Sequence, residues 1–332
     1  MGKDQKKYLT NLGFKVLNSL GKGKFGHVYK VFKKETMSIL AAKVIRRYMY
    51  DNQEWEAGRI IEKLKDDPHV LKYFQKIESE KYIVILMESS NFGSLQDLID
   101  MQIDLDISMI RSIFKQFLEI LRTIHSVGII HRDLKGANIL FHSPPGSGQV
   151  YLKVIDFGTV VILKDTEAAT LMSCRGSQKF MPPEMFKIHD LQYQQFLGDH
   201  KIDVWSAGII MFNLISHQYP YQAAEQQNID EFQYKKILVR PISIKNDDLW
   251  DLISNLLQFN PSERFSAEQA LQHQFFKYDK SNFIQLSNFE KILDINLKSR
   301  IFSLHSLILT AANKENHELI IAGGLQSAVG YI

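Results

Sequence analysis

The chain has 332 residues, of which 45% are hydrophobic and 23% are charged, and its formal net charge is +3 at pH 7. The length and apolar content suffice for a large core divided over two globular units, and the near balance of charge excludes a whole-protein attraction to nucleic acid or to a membrane surface. The single cysteine, Cys174, excludes an internal disulfide, so a secreted disulfide scaffold is ruled out and a reducing compartment is expected.

The sequence does not predict a membrane-bound or secreted chain. No apolar run approaches the length of a membrane span, and the N-terminal residues lack the apolar stretch of a signal peptide. The chain begins Met-Gly, but position 6 is a lysine where an N-myristoylation signal has serine or threonine. We therefore expect a cytoplasmic protein, with the nucleus as the alternative location.

Residues 1–90 are predicted to be mainly β-structure with one helix. Apolar runs predict strands in residues 14–32 (interrupted by a glycine-rich turn), 38–45 and 82–88. Residues 52–65 have apolar side chains at helical spacing, and Asp67-Pro68 would end that helix. The stripe of this helix is predicted to consist of Trp55, Ile60, Ile61 and Leu64.

The rest of the chain is predicted to be mostly helical. Residues 95–127 follow the helical period, as does the chain from about residue 182 onward. Residues 137–142 and 149–155 predict a hairpin between these helical parts. A small β-rich unit is therefore expected to precede a larger helical unit, with the junction near residues 88–93.

The first stretch that can carry chemistry is GKGKFGHV, residues 21–28. Its three glycines would let backbone N–H groups approach phosphate oxygens, because no Cβ intervenes. A hairpin turn that needs glycine for a positive φ is the alternative. A dinucleotide-binding loop is disfavoured because a strand pattern follows the glycines instead of a helix, and the stretch lacks the Gly-Lys-Ser/Thr of a P-loop.

Lys43 lies within the apolar run SILAAKVI, residues 38–45, where a lysine must either face solvent or find a partner. If it is buried, its charge could hold phosphate groups while a carboxylate holds the lysine. Glu56, one turn before Ile60 on the predicted helix, is the candidate partner. Glu54 is a less favoured substitute.

Two further polar clusters adjoin apolar runs. In HRDLKGAN, residues 131–138, the carboxylate of Asp133 can accept a proton from a hydroxyl, and Lys135 adds a positive charge. The amide oxygen of Asn138 suits Mg²⁺, which prefers oxygen ligands, and Asp156 in VIDFG is a second candidate ligand. Either aspartate could instead be a structural residue of a turn.

Taken in chain order, these stretches resemble the motifs of the eukaryotic protein kinase family. The matching segments, spread over residues 14–276, are GKGKFGHV (21–28), AAK (41–43), Glu56, HRDLKGAN (131–138), DFG (156–158), PPE (182–184), DVWSAG (203–208) and PSER (261–264). The resemblance implies an α+β, bilobal protein kinase-like fold with a β-rich N-lobe at 14–88, a hinge at 88–93 and a mostly helical C-lobe at 94–276. Residues 1–13 would be an N-terminal extension, and residues 277–332 a C-terminal extension, expected to be helical.

The resemblance implies a serine/threonine protein kinase that uses ATP and Mg²⁺. Asp133 would be the catalytic base, with Lys135 beside the transferred phosphoryl group. Asn138 and Asp156 would hold the Mg²⁺. Lys135 and Ser177 match the serine/threonine type, so the expected partners are ATP and proteins with serine or threonine acceptors, and no nucleic acid. The alternatives are a pseudokinase acting as a nucleotide-binding scaffold and a small-molecule kinase, which usually lacks the PPE and DVWSAG segments.

The nucleotide site is implied in the same way. Lys43, held by Glu56, would bind the α- and β-phosphates beneath the glycine-rich loop. The remaining residues implied in ATP binding are Leu20, Gly21, Gly23, Gly26, Val28, Ala41, Met87 (the gatekeeper), Glu88, Ser90 and Leu140. The backbone of Glu88 and Ser90 would hydrogen-bond the adenine.

Other matches imply structural and regulatory roles. Glu184 and Arg264 would form a buried ion pair, and Asp203 would brace the catalytic loop. Arg132 would pair with a phosphate on the activation segment, residues 156–184. The candidate phosphorylation sites are Thr166, Thr170 and Ser173.

The chain departs from the family pattern in several places. Pro182 and Gly136 replace the usual alanine and proline, and residues 185–202 are longer than usual, which predicts a loop insertion. The tail lies outside the resemblance, and its residues 289–311 are amphipathic and carry basic residues. This pattern predicts either an autoinhibitory or calmodulin-type helix, with a regulatory protein as partner, or a helical extension packed on the large lobe.

Overall fold

The structure is a computed structural model that describes residues 2–23, 26–64, 68–69, 71–163, 169–186, 195–221, 226–277 and 283–293. Its strands are β1 (Phe14–Lys22), β2 (His27–Lys33), β3 (Ser38–Arg46), β4 (Tyr73–Glu78), β5 (Tyr82–Glu88), β6 (Ile129–Ile130), β7 (Ile139–His142), β8 (Gln149–Val154), β9 (Val161–Ile162), β10 (Thr170–Ser173), β11 (Gln195–Gly198) and β12 (Ile284–Gln285). Its helices are α1 (Gly2–Asn11), α2 (Gln53–Glu62), α3 (Leu95–Asp100), α4 (Ile107–Ser126), α5 (Pro183–Phe186), α6 (Lys201–Ser216), α7 (Gln226–Lys235), α8 (Asp247–Leu256) and α9 (Ala267–Leu271), and residues 286–293 are also helical.

A five-stranded antiparallel sheet in the order β1-β2-β3-β5-β4 forms the small lobe. Because successive side chains of a strand point to opposite faces, β3 directs Val44 to one face and Lys43 to the other. Helix α1 covers the face of Val44, where its Leu9 is fully buried. Helix α2 packs on the other face through Ala57 and Ile61. The sheet is therefore covered on both sides, and Lys43 points to the side that carries α2.

The large lobe is built around two long helices. The carboxylate of Asp106 caps α4 by accepting a hydrogen bond from the backbone N–H of Met109 at 2.8 Å. Helix α6 is buried on nearly all sides, Trp205 included, as expected for a helix in the centre of a lobe. One cluster of buried apolar side chains extends from α4 and α6 to the α2 side of the small-lobe sheet. The two lobes therefore share a continuous core.

A hairpin at the junction of the lobes brings the polar clusters together. The predicted hairpin is confirmed as β7 and β8, and Asn138 immediately precedes β7. The backbone N–H of Ile155, just after β8, donates to the carbonyl of Asn138 at 2.9 Å. The loop that contains Asp133 therefore lies next to Asp156. On the other side of the hairpin, the hinge residue Phe92 donates to the carbonyl of Phe141 at 3.2 Å.

The predicted buried ion pair is present in the large lobe. The guanidinium of Arg264 donates two hydrogen bonds to the carboxylate of Glu184, at 2.7 and 3.0 Å. The same guanidinium lies over the ring of Trp205, 5.0 Å from its centroid. The pair joins α5, which ends the activation segment, to α6 and to the turn before α9.

The predicted β-rich small lobe and larger helical lobe are confirmed, but strands also occur where helices or a loop were predicted. In the stretch predicted to be a loop insertion, residues 195–198 form β11, which pairs with β10 of the activation segment. Residues 187–194 of that stretch lie outside the described residues. In the tail, β12 pairs with β8, and only residues 289–293 of the predicted amphipathic helix are described.

Residues 283–293 pack onto the large lobe. The ring of Phe289 is 1% exposed and lies 4.6 Å from the ring of Phe141 and 5.6 Å from that of Phe92. The backbone N–H of Leu286 donates to the carbonyl of Gly148 at 2.9 Å. The described part of the tail is therefore a packed extension at the back of the hinge.

Candidate active site

Lys43 is buried between two carboxylates. Its side chain comes from the middle of β3, and the residue is only 5% exposed. The Nζ donates to both carboxylate oxygens of Glu54, at 2.8 and 2.7 Å, and to Oδ1 of Asp156 at 2.6 Å. This arrangement satisfies the ammonium group and ties together three separate elements: the sheet, helix α2 and the segment after β8.

The prediction that Glu56 holds Lys43 is wrong. The buried residues of α2 are Glu54, Ala57, Gly58 and Ile61, which follow the spacing i, i+3, i+4, i+7 of one helix face. Glu56 lies off this face, is exposed and accepts a hydrogen bond from the side chain of Asn52. The predicted buried stripe includes Trp55 and Ile60, which are only partly buried in the structure. The predicted buried face is therefore rotated about the helix axis relative to the observed one.

Burial and charge compete within this group of three side chains. Burial disfavours the charged form of Lys43, but the attraction and hydrogen bonds of Glu54 and Asp156 outweigh it and raise the pKa of Lys43. Burial alone would raise the pKa of Asp156, but Lys43 outweighs that effect and lowers it. Burial, with repulsion from Asp156, raises the pKa of Glu54 in spite of Lys43. Asp156 is therefore held as a carboxylate, the form that binds a cation.

Asp133 sits in a network with two polar neighbours. Its Oδ2 accepts from Nζ of Lys135 at 2.8 Å, and its Oδ1 accepts from the hydroxyl of Ser177 at 2.8 Å. Lys135 also donates to that hydroxyl, at 3.2 Å. Ser177 belongs to the activation segment, so these contacts fix the position of the segment relative to the predicted base.

Asn138 is oriented by the loop that it ends. Its Nδ2 donates to the backbone carbonyl of Asp133 at 2.8 Å, and among the described residues its Oδ1 accepts no hydrogen bond. An amide oxygen and the carboxylate of Asp156 are suitable donors for Mg²⁺. The described residues contain no cluster of three or more His, Cys, Asp or Glu side chains that could hold a metal ion. A magnesium ion here would therefore need further oxygens, such as those of phosphate.

Asp203 braces the loop from below. Its carboxylate is fully buried and accepts from the backbone N–H of His131 at 2.8 Å, the backbone N–H of Arg132 at 2.9 Å and Nε2 of His125 at 2.9 Å. Burial raises the pKa of such a group, but the hydrogen bond and charge of His125 outweigh this and lower the pKa of Asp203. These bonds hold Arg132 at a φ of 66°, in the left-handed region.

Arg132 joins the beginning of the activation segment to its middle. Its guanidinium donates to the carbonyls of Thr159 at 2.6 Å, Val160 at 3.2 Å and Ser173 at 3.1 Å. The hydroxyl of Ser173 is 3.4 Å from the same group. Burial, together with repulsion from Arg175, lowers the pKa of Arg132 to about 10. Carbonyl groups therefore accept the hydrogen bonds of the Arg132 guanidinium, but they do not neutralise its positive charge.

The residues predicted to bind ATP lie on the small-lobe sheet, at the hinge and on β7. In the sheet register, Val28 lies opposite Lys43 and Ala41 opposite Met87, so these side chains share the face toward the large lobe. The loop between β1 and β2 is closed by a hydrogen bond from Gly23 N–H to the carbonyl of Gly26 at 2.9 Å. Leu20 and Gly21, on β1, are exposed.

The hinge side of the predicted nucleotide site is also formed. Leu140 of β7 pairs with Ser94, directly after the hinge, and the hydroxyl of Ser90 donates to the carbonyl of Phe141. The backbone N–H of Glu88 donates to Lys72 O at 2.9 Å, so the predicted adenine contact of Glu88 would have to use its carbonyl.

One charged group at the hinge was missed by the sequence reasoning. The carboxylate of Glu88 accepts from Nζ of Lys153 at 2.8 Å, and Nε2 of His142 is 3.5 Å away. Lys153 is 3% exposed and ties the hinge to the β7–β8 hairpin. A lysine in the apolar run YLKVI is the same signal that singled out Lys43, so it could have been recognised.

The sequence of this chain is similar to those of known proteins. The family model described as "Protein kinase domain" matches residues 14–276. The chain is 29% identical to the probable serine/threonine-protein kinase fhkD of Dictyostelium discoideum, over 81% of this chain and 37% of that protein. It is 32% identical to calcium-dependent protein kinase 4 of Arabidopsis thaliana, over 76% of this chain and 50% of that protein. The chain thus spans half or less of the length of these curated relatives.

Proposed function

This chain belongs to the protein kinase family, and on that premise we propose that it transfers the γ-phosphoryl group of ATP to serine and threonine hydroxyls of proteins. The observation that carries the proposal is the assembled site: Lys43 bonds Glu54 and Asp156 together, while Asp133 faces Lys135 and Ser177. A family member that only bound nucleotide as a scaffold would not need these groups in hydrogen-bonding contact. No observation of the described residues favours that alternative.

Each side chain has a definite task in the proposed reaction. The carboxylate of Asp133 orients the acceptor hydroxyl toward the γ-phosphorus atom and takes up its proton. As the new P–O bond forms, the bond from the γ-phosphorus to the oxygen that bridges it to the β-phosphate breaks, and ADP leaves. Lys135, 2.8 Å from that carboxylate, lies where negative charge develops on the transferred group. Lys43 holds the α- and β-phosphates, and Glu54 keeps Lys43 in place. Mg²⁺, when bound by Asn138 and Asp156, would offset charge on the phosphate oxygens.

The acceptor is proposed to be a peptide segment that lies against the activation segment. The apolar side chains of Phe180, Met181 and Pro182, which belong to this segment, lie beside Asp133 and Ser177. The segment therefore adjoins the proposed base, where the acceptor has to bind. Two of the curated relatives, fhkD of Dictyostelium discoideum and cds1 of Schizosaccharomyces pombe, are named as a probable serine/threonine-protein kinase and a serine/threonine-protein kinase, which supports serine and threonine as acceptors.

Regulation, domain limits and location are proposed on the sequence evidence. Of the candidate phosphorylation sites, Thr166 lies outside the described residues, Thr170 lies on β10, and the hydroxyl of Ser173 is 3.4 Å from Arg132. We place the catalytic unit at residues 14–276. Binding of a regulatory protein to the tail stays a prediction, because residues 294–332 lie outside the described residues. No described helix is long and apolar enough to cross a membrane. The cytoplasm, with the nucleus as the alternative, is the proposed location.

The test is phosphate transfer from γ-labelled ATP to a generic protein substrate, with and without Mg²⁺, followed by phosphoamino-acid analysis. We expect phosphoserine and phosphothreonine, formed only when Mg²⁺ is present. Phosphotyrosine as the main product would overturn the proposed acceptor. Absence of any transfer, with ATP binding intact, would favour the scaffold.

A further inference from the structure

Helix α1 lies outside residues 14–276, the stretch matched by the family model, yet it is part of the small lobe. It covers the outer face of the sheet, where Leu9 packs among Phe14, Tyr29 and Val31 without exposure to solvent. In the middle of this apolar contact lies one polar side chain, that of Gln5, which is 1% exposed. Burial of an amide group is costly unless its hydrogen bonds are made, so its partners indicate what it does.

The amide group of Gln5 connects two strands. Its Oε1 accepts from the hydroxyl of Tyr29 at 3.1 Å and lies 2.8 Å from Nδ1 of His27, both on β2. Its Nε2 lies 3.5 Å from the carbonyl of Val44 on β3. Burial, with repulsion from Lys22, lowers the pKa of His27, which favours the neutral imidazole. In the tautomer with the proton on Nδ1, this atom donates to Oε1 of Gln5.

These partners lie directly behind the catalytic groups. His27 is the first residue of β2 and follows Gly26, the last glycine of the phosphate-binding loop. Gly26 lies so close to β3 that a Cβ there would be 2.6 Å from the carbonyl oxygen of Val44. Val44 in turn follows Lys43. On the outer face of the sheet, Gln5 therefore contacts the neighbours of both groups that would hold the ATP phosphates.

We propose that Gln5 is a positioning residue for the phosphates of ATP. Through His27 and the carbonyl of Val44 it holds the start of β2 against β3, and so sets the height of the glycine-rich loop above Lys43. Gln5 does not touch the nucleotide. The inference rests on the proposed function, and it assigns to residues 2–11 a part in nucleotide binding that the matched domain does not contain.

The test compares Gln5→Met, which keeps the volume and loses both polar atoms, with Thr10→Ala on the exposed side of the same helix. Binding of MgATP and of adenosine is measured by calorimetry on the full chain, well below the melting temperature of each variant. Adenosine lacks phosphates, so it does not report on the contacts between the glycine-rich loop and the phosphates. A general loosening of the small lobe would weaken both ligands.

For Gln5→Met we expect MgATP affinity to fall about tenfold, the size expected for lost hydrogen bonds of this kind, with adenosine affinity unchanged. Thr10→Ala should change neither. His27→Ala should weaken MgATP in the same way, and the double variant should be no weaker than Gln5→Met, because the two residues act through one contact.

Two results would overturn the inference while leaving the proposed function in place: equal losses for MgATP and adenosine, or full affinity for both. Additive effects of Gln5→Met and His27→Ala would also contradict it. If the unaltered chain bound neither ligand, the proposed function itself would fail, and the positioning role with it.

Discussion

At Lys43 an ammonium group is buried without loss of its charge, because two carboxylates lie within 2.8 Å of it. The two carboxylates differ in what else they can do. Asp156 is 35% exposed at its side chain and can turn to a cation, whereas Glu54 is 4% exposed and touches only the interior. If Asp156 binds Mg²⁺ as proposed, Glu54 is the carboxylate that remains to fix Lys43.

The first prediction concerns these two glutamates of α2. Glu54→Gln removes the charge that orients Lys43, and a small misplacement of a phosphate-binding group is costly, so we expect kcat/KM for phosphate transfer to fall about 100-fold. Glu56→Gln, a matched change two residues away on the exposed side of the same helix, should stay within about twofold because surface charges contribute little. Equal losses in the two variants would show that Glu54 has no special role.

The wrong prediction of Glu56 as the partner of Lys43 shows what local sequence patterns cannot determine. Asp133, Lys135 and Asn138 could be singled out from the sequence because they lie within one short loop, and the family resemblance implied their roles. The partner of Lys43 comes from another element, and its choice depended on the phase of a ten-residue helix. Trp55 and Ile60 lie at the edge of the buried face of α2 and are only partly buried. Because they are apolar, they shifted the predicted buried face away from Glu54.

At the scale of elements, the position of α2 depends on a complementary pair of side chains. Gly58 lies one turn after Glu54, and a Cβ at Gly58 would be 2.6 Å from Cγ of Tyr73. The ring of Tyr73 fills this space and lies 6.5 Å from the ring of Phe157, next to Asp156. A large residue on β4 thus compensates for a small one on α2, and the contact continues to the segment that carries the predicted magnesium ligand.

The second prediction follows from this fit. Replacing a helical glycine by alanine normally stabilises a helix by about 1 kcal/mol. Gly58→Ala should instead lower both the melting temperature and the rate of phosphate transfer, because the new methyl group displaces Tyr73 and with it α2. The double variant with Tyr73→Leu makes room and should recover most of the rate. A stabilised and fully active Gly58→Ala would contradict the fit.

Some of the elements that the sequence reasoning missed pair with strands far away in the chain. The hairpin of β7 and β8 was predicted because its strands are neighbours in the chain. Strands β10 and β11 pair although 21 residues separate them, and β12 pairs with β8 across more than 100 residues. The local sequence of a strand does not indicate such a distant partner. Buried Met172 and Phe196 explain the first pairing only once the fold is known.

At the scale of the whole molecule, segments on either side of the matched domain complete its surface. Helix α1 covers the sheet of the small lobe, and residues 283–293 cover the hairpin behind the hinge. Composition and periodicity predicted two lobes and their order. They could not predict which faces the extensions would cover. An apolar stripe indicates that a segment is buried, but it does not indicate which surface the segment packs against.

The third prediction tests the extension at the hinge. Phe289→Ala removes a buried ring between Phe92 and Phe141 and should lower the free energy of unfolding by about 3–5 kcal/mol. Phe283→Ala, at a position that is 41% exposed, should cost less than about 1 kcal/mol. Denaturant unfolding of both variants is the measurement. A loss at Phe289 no larger than that at Phe283 would mean that residues 283–293 do not belong to the folded unit.

The central claim is that this chain catalyses phosphate transfer with Asp133 as the base, and the most direct measurement is the transfer rate of Asp133→Asn beside its affinity for MgATP. Loss of a general base typically reduces a rate about 10²- to 10⁴-fold, so we predict a fall in kcat of that size, with MgATP affinity within about twofold of the unaltered chain. A variant that transfers phosphate at the unaltered rate would contradict the assigned base. An unaltered chain that binds MgATP and transfers nothing would contradict the claim that it is an enzyme.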